Sequence, residues 1–205
     1  MEWDRYEIYH PGISAPASTL PRAVARRAFD RFISERSARI EMLRRLLEAN
    51  TVELSSSDDG IQALNDWFKA NVEADPANPG YLLPEWYSVV NDISAFLGDV
   101  IIERCPSLHW EFFKWGKKNV AYQQPVIMGF RGVPNPKFNI DVQRRVAGYG
   151  HSIIARRGSV THHGTVTIRG VNIDVDAAAA RARAQDPDVE DDAFLRMLKV
   201  AESRA

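Results

Sequence analysis

The sequence is poor in the features that would place it outside the cytoplasm. Cys105 is its only cysteine, so no internal disulfide can form and an oxidising compartment is not implied. No apolar run approaches the roughly 18 to 20 residues of a membrane span. The opening residues MEWDRYEIYHPG have neither the basic nor the apolar region of a signal peptide. We therefore expect a cytoplasmic protein with no membrane partner.

The common catalytic fingerprints are also missing. The chain has no GxxxxGK[ST] phosphate loop and no GxGxxG, GxSxG, HExxH or CxxC motif. These absences remove the simplest arguments for a nucleotide-binding enzyme, a serine hydrolase, a zinc peptidase or a thiol oxidoreductase. The sequence nominates no catalytic residue and no cofactor, and it favours a protein that is not an enzyme.

Charge is present in both signs, but it is unevenly distributed. The formal net charge is −1, yet residues 51–113 hold eleven acidic and two basic side chains. Residues 114–170 hold ten basic side chains and one acidic one. If the two blocks face each other, their ion pairs stabilise the monomer weakly, because exposed pairs contribute about 0–1 kcal/mol. If they form separate surfaces, the basic block can dock an acidic partner. We expect partly compensated faces and leave the second arrangement open.

The hydrophobic periodicity predicts a mainly helical α+β protein with a small antiparallel sheet. We expect one domain over residues 1–205, with an irregular N-terminal arm (1–20) and a C-terminal helical appendage (186–205). The sheet is predicted from a hairpin at about 108–130 and a short strand at about 165–169. A helix that Pro84 opens is apolar over most of its circumference, and it is the predicted centre of the core.

Three further expectations concern the helices. A long helix after Pro21 carries one apolar stripe, and its many arginines are expected to be solvated. Ser55 or Ser57 is expected to cap the second helix. Asn139 is expected to cap the helix that follows the hairpin.

The hairpin shows the period-two pattern of a strand with one buried face. Trp110 and Phe112 are predicted to face the core, whereas Phe113 is grouped with the outward-facing tip. Pro125 cannot donate to a β-ladder, so it marks an edge or a bulge.

The basic block supplies the candidate binding site. Basic side chains surround Trp115 at the hairpin tip and continue into the next loop and helix. The predicted partner-binding residues are Lys114, Trp115, Lys117, Lys118, Arg131, Lys137, Arg144 and Arg145. We expect the partner to be another protein with an acidic surface. Nucleic acid is an alternative, because basic groups interleaved with an aromatic ring suit single strands, although no RRM, KH or helix-turn-helix pattern accompanies them.

A metal-dependent hydrolase is a further alternative. His109 and Glu111 lie two residues apart in a predicted strand, so their side chains share one face. Together with His162 and His163 they contain the ligand types that zinc or iron prefers. The opposing interpretation is that these histidines are simply solvated.

Two other groups of reactive side chains are interpreted as structural. Asp92, Asp99 and Glu103 form one polar stripe on the third helix, and we expect this stripe to be solvated. If the carboxylates shared a buried site, one pKa would rise and an acid/base pair would result. Cys105 is expected to belong to the core.

One segment resembles a known group of domains. The sequence FLGDVIIERCPSLHWEF, followed by QPVIMGF and FNIDVQRRVAGYG, is similar over about residues 92–155 to small bacterial domains with a helix, a Trp-bearing hairpin and a further helix. Leu97–Gly98–Asp99, Trp110 and Pro125–Val126 carry the similarity. These domains are uncharacterised, and some of them look like immunity proteins of polymorphic-toxin systems. The resemblance implies a non-catalytic role in binding one partner.

Overall fold

The computed structural model describes residues 1–13, 15–158, 165–168, 171–174 and 191–205. The helices in this part of the chain are α1 (Arg22–Ala49), α2 (Asp58–Asn71), α3 (Pro84–Arg104), α4 (Val142–Gly158) and α5 (Ala193–Glu202). The strands are β1 (His109–Phe112), β2 (Pro125–Met128), β3 (Thr165–Ile168) and β4 (Val171–Asp174). The protein is therefore mainly helical α+β, as predicted. Within the described ranges no helix combines the length and apolar character that a bilayer crossing requires.

Helix α3 is the centre of the core, and this prediction is confirmed. Every residue from Ser88 to Gly98 is buried, and α1, α4 and α5 all pack on α3. Gly98 allows the closest approach: a Cβ atom there would lie 2.0 Å from Cζ2 of Trp110. The indole of β1 therefore rests directly on the α3 backbone.

Helix α1 has the predicted apolar stripe, with Phe29, Phe32, Leu43 and Leu47 buried. The expectation that its arginines are solvated is wrong for two of them. The guanidinium groups of Arg36 and Arg39 bind carboxylates of α3 instead. These ion pairs join residues more than fifty positions apart, so the local periodicity of α1 cannot predict them.

Of the two predicted helix caps, one is confirmed and one is wrong. Ser57 caps α2, because its hydroxyl accepts a hydrogen bond from the Gly60 amide. Helix α4 begins at Val142 rather than near Asn139. The Asp141 carboxylate accepts the Arg144 amide at 3.0 Å and occupies the capping position. Asn139 instead donates to the Lys137 carbonyl within the preceding loop.

The hairpin has shorter strands than the sequence pattern indicates. β1 pairs with β2 from Phe112 opposite Pro125 to His109 opposite Met128. Pro125 is the first residue of its strand, where the missing amide costs least. Ile127 of β2 also exchanges two backbone hydrogen bonds with Ile140, so β2 has a neighbour on each side.

The predicted strand at about 165–169 corresponds to β3, but its partner was missed. β3 pairs with β4 in a second two-stranded sheet and does not join the hairpin. The short sequence of β4, VNID, was too brief to stand out as a separate strand.

Both chain ends pack on the body. In the predicted N-terminal arm, the ring of Trp3 meets Trp86 of α3 edge-on at 5.5 Å. At the other end, Phe194 and Leu198 of α5 are buried in the main core. The described part of the predicted C-terminal appendage is therefore integrated into the core.

Candidate functional site

The hairpin loop, residues 113–124, is anchored by a buried ring. Phe113 is 1% exposed and packs with Ala121, Val126 and Met128. The expectation that it faces outward is wrong, because the strand alternation ends at Phe112. Trp115 meets Phe113 edge-on at 5.4 Å and is only partly exposed. The tip thus has a small core of its own.

The backbone of this loop is held by a series of short turns. Gly116 adopts a φ of +68°, which favours glycine. The Asn119 amide donates to the Gly116 carbonyl at 2.7 Å, and the Asn119 side chain accepts the Ala121 amide at 2.9 Å. The Gln123 amide closes the loop on the Phe113 carbonyl at 2.7 Å. Most of the turn is therefore fixed by hydrogen bonds.

This ordered loop presents three exposed lysines, Lys114, Lys117 and Lys118. The Nζ of Lys114 lies 5.3 Å from the centre of the Trp115 ring and 3.8 Å from a Glu111 carboxylate oxygen. Val120 beside them is 63% exposed. The loop therefore presents exposed lysine side chains next to the Trp115 ring and the exposed side chain of Val120.

The remaining predicted contact residues are exposed, but they lie elsewhere. Arg131 and Lys137 follow the His109–Met128 end of the ladder, whereas the lysine loop leaves from the Phe112–Pro125 end. Arg144 and Arg145 lie in the first turn of α4. The eight residues therefore form at least two separate basic areas, of which the lysine loop is one.

The two charge blocks do not neutralise each other in a systematic way. The Glu111–Lys114 contact joins them, but Asp92 and Asp99 pair with arginines of α1. Within the described residues, no carboxylate lies in ion-pair distance of the six other candidate cations, Lys117, Lys118, Arg131, Lys137, Arg144 and Arg145.

The predicted metal ligands are only partly brought together. His109 and Glu111 do share one face, with His109 Nε2 3.7 Å from a carboxylate oxygen of Glu111. The described part of the chain contains no group of three potential ligands. His162 and His163 lie outside the described residues.

The prediction of a solvated carboxylate stripe on α3 is wrong for Asp92. This side chain is 0% exposed and binds Arg39 through both oxygens, at 2.9 and 2.6 Å. Tyr6 of the arm donates to it at 2.5 Å, and Asn91 donates at 3.1 Å. Burial raises the pKa of Asp92, and the hydrogen bonds and charge of Arg39 oppose that rise. The pKa of the Tyr6 hydroxyl is raised by burial and by the charge of Asp92.

The other two carboxylates do not share this site. Asp99 binds Arg36 at 2.8 Å and accepts the indole N–H of Trp110 at 3.0 Å. Glu103 is exposed. Asp92 and Asp99 each bind their own arginine, so the arrangement is that of structural ion pairs and not of an acid/base pair.

Cys105 is buried at the end of α3, in agreement with the expected core position. Burial raises the pKa of its thiol. Because the thiolate is the reactive form, this environment disfavours nucleophilic chemistry.

A cavity that the sequence pattern does not indicate lies beneath the N-terminal arm. Its wall includes Asn91, Gln123, Gln124 and Gln143, which come from three distant segments. The only local signal is the Gln-Gln-Pro run at 123–125, and a polar pair before a strand is commonly part of an exposed turn.

Searches against protein-family models, curated proteins and solved structures found no match to this chain.

Proposed function

We propose that this is a non-catalytic binding protein whose hairpin loop docks an acidic surface of another protein. The observation that carries the proposal is the exposed lysine group on a loop that its own hydrogen bonds and the buried Phe113 hold in place. A loop that is already ordered loses less conformational entropy on binding than a mobile one.

The lysines can act at long range as well as in contact. Lys117 and Lys118 have no carboxylate within ion-pair distance in the described residues, so their charge is available to a partner. Charges at the edge of an interface mainly raise the association rate and orient the partner. Trp115 and Val120 supply the adjoining apolar contact. Tryptophan is among the residues that are enriched in binding hot spots.

The resemblance of residues of about 92–155 to immunity-type domains points to the same kind of role. Gly98 and Trp110, which carry part of that resemblance, touch each other in the core. They support the hairpin from below, and the hairpin loop with its lysines leaves from the other end of the strands. We therefore expect one dedicated protein partner, of toxin or regulatory type.

Site-specific photo-crosslinking tests this proposal. A photoreactive residue replaces Lys117 in one sample and Lys199, an exposed position on α5, in the control. We expect the Lys117 position to crosslink one protein with an acidic face, and the Lys199 position to give no such adduct. Equal labelling from both positions, or an adduct with nucleic acid alone, would contradict the proposal.

Charge reversal provides the matched comparison. Lys117→Glu/Lys118→Glu is expected to reduce the association rate about tenfold, because two attractive charges become repulsive. The control Arg27→Glu/Lys199→Glu changes net charge equally, at exposed positions away from the loop, and is expected to have a much smaller effect.

A further inference from the structure

A cavity of about 290 Å³ lies between the N-terminal arm, α1, α3 and the end of the hairpin loop. Protein interiors leave few voids larger than a water molecule. A void of about 150 Å³ is enough to hold benzene. This cavity therefore has room for a small organic molecule.

One side of the cavity wall is apolar. Its apolar side comes mainly from the arm and from α1, with Ile13, Ala17, Ala25, Ala28, Phe29 and Phe32. Aspartate, glutamate, lysine, arginine and histidine are all absent from the described residues that line it. A charged ligand would lose its hydration there without gaining an ionic partner. The cavity therefore suits an uncharged ligand.

Four carboxamide side chains line the polar part of the cavity, together with Tyr9, Tyr87 and Ser88. Asn91 and Gln123 are both buried, whereas Gln124 is half-buried and Gln143 is exposed at the rim. The Asn91 amide donates to Asp92, and the Gln123 amide donates to the carbonyls of Ala17 and Leu20. No described residue forms a hydrogen bond with the side chain of Gln124 or Gln143. Both donors and acceptors thus remain available.

Gln123 holds the cavity wall in place and offers no accessible hydrogen-bonding atom of its own. Its side chain is 2% exposed, and its Oε1 atom is buried without a hydrogen-bond partner among the described residues. Its backbone φ is +63°, which is unusual for a residue other than glycine. Its carboxamide ties the hairpin loop to the arm, so the amide groups left for a ligand are mainly those of Gln124 and Gln143.

We propose that this cavity binds a small uncharged ring compound with an amide edge, that is, an N–H donor beside a carbonyl acceptor. The ring would pack on Phe29, Phe32 and the alanines of α1. The amide edge would face the carboxamides, which pair a donor with an acceptor in the same way. This site is independent of the lysines of the hairpin loop.

The probes are benzamide and 2-pyridone, with two matched controls. Acetophenone has the size and carbonyl of benzamide but no N–H, and benzoate has the same shape with a negative charge. Binding to the full chain is followed by protein-observed NMR. We expect millimolar or tighter binding of at least one amide, binding of acetophenone that is about tenfold weaker, and no detectable benzoate binding.

Two variants and one control substitution locate the binding. Ala28→Leu adds bulk to the cavity wall, and Ala63→Leu makes the same change at an exposed position of α2. Gln143→Leu removes a carboxamide at the rim, where folding is not at risk. We expect Ala28→Leu to abolish amide binding, Gln143→Leu to weaken it severalfold and Ala63→Leu to leave it unchanged. If neither amide binds at millimolar concentration, if acetophenone binds as tightly as benzamide, or if Ala28→Leu has no effect, the proposal is wrong.

Discussion

At Gly98 the third helix lacks a side chain, and the indole of Trp110 fills the space. For stability this contact outweighs the low helix propensity of glycine, because a Cβ atom at position 98 would lie only 2.0 Å from Cζ2 of the Trp110 ring. The indole N–H also binds Asp99, so Trp110 cannot move away without losing that hydrogen bond. One missing side chain thus fixes how the hairpin lies on α3.

Gly98→Ala is therefore expected to destabilise the protein by about 1–3 kcal/mol, the usual cost of overpacking. The matched control is Gly148→Ala in α4, where no atom lies within 4 Å of the added Cβ. That change is expected to stabilise the protein by up to about 1 kcal/mol, because alanine is the better helix former. Urea denaturation measures both, and equal effects of the two substitutions would contradict the account.

The buried Asp92 gives a second residue-scale prediction. Arg39→Met removes its ionic partner and leaves a buried carboxylate, which should cost about 3–5 kcal/mol near neutral pH. The pKa of Asp92, already raised by burial, then rises further. Since the folded pKa lies above the unfolded one, the folded state binds more protons. The stability of the variant should therefore improve as the pH falls from 7 towards 5.

The test is the difference in unfolding free energy between Arg39→Met and the wild type at several pH values. Arg27→Met, at an exposed position of α1, is the control and should show a small, pH-independent effect. A difference for Arg39→Met that is the same at pH 5 and pH 7 would show that Asp92 is not the group responsible.

At the scale of elements, the local pattern predicted the helices, but not the residue that caps α4. The apolar stripe of α1, the all-round burial of α3 and the Ser57 cap follow from spacing and from short-range hydrogen bonding. The hairpin was also predictable, because alternation and Pro125 mark its strands. Phe113 was assigned to the wrong face since the alternation stops one residue earlier.

Contacts between distant elements were not predictable in the same way. Arg39 lies 53 positions from Asp92, and Gln123 lies 106 positions from Ala17. The sequence shows only that these side chains are polar. A polar side chain is expected to lie on the solvated surface unless its partner is known. The buried ion pair and the carboxamide cavity both arise where such segments meet. The lysine loop, in contrast, was found from sequence because exposed charges near a turn need no distant partner.

The N-terminal arm is held on the body by hydrogen bonds to residues that are distant in sequence. Tyr6 donates to Asp92, the Tyr9 amide donates to Ser88 at 2.7 Å, and Asn50 forms two hydrogen bonds with the backbone of Glu2. Arg39 also binds the Glu7 carbonyl at 2.8 Å. The arm is therefore attached by polar contacts along its first nine residues.

Tyr6→Phe should loosen this attachment while leaving the ring in place. Loss of a hydrogen bond to a charged group is expected to cost about 1.5–3 kcal/mol. Hydrogen exchange should accelerate for the amides of residues 2–13 and should change little in the centre of α3. Tyr122→Phe, in the hairpin loop, is the control. Equal acceleration in the arm and in α3 would mean that the arm does not open as a separate unit.

For the whole molecule, the charge distribution is the property with the most direct bearing on the proposed function. Two carboxylates of the acidic block, Asp92 and Asp99, are paired with α1, and Asp58 pairs with Arg104 of α3. Three carboxylates of the acidic block are therefore compensated without using the basic block. The cations of the hairpin loop and of the loop that follows it remain on the surface.

The most direct test of the proposed function is the dependence of the association rate on ionic strength, measured with the crosslinked partner. We expect the wild-type rate to fall steeply as salt rises, and the Lys117→Glu/Lys118→Glu variant to lose most of that dependence. The unfolding free energy of the variant should stay within about 0.5 kcal/mol of the wild type, because both lysines are exposed. Identical salt dependence in the two proteins would contradict docking through the hairpin loop.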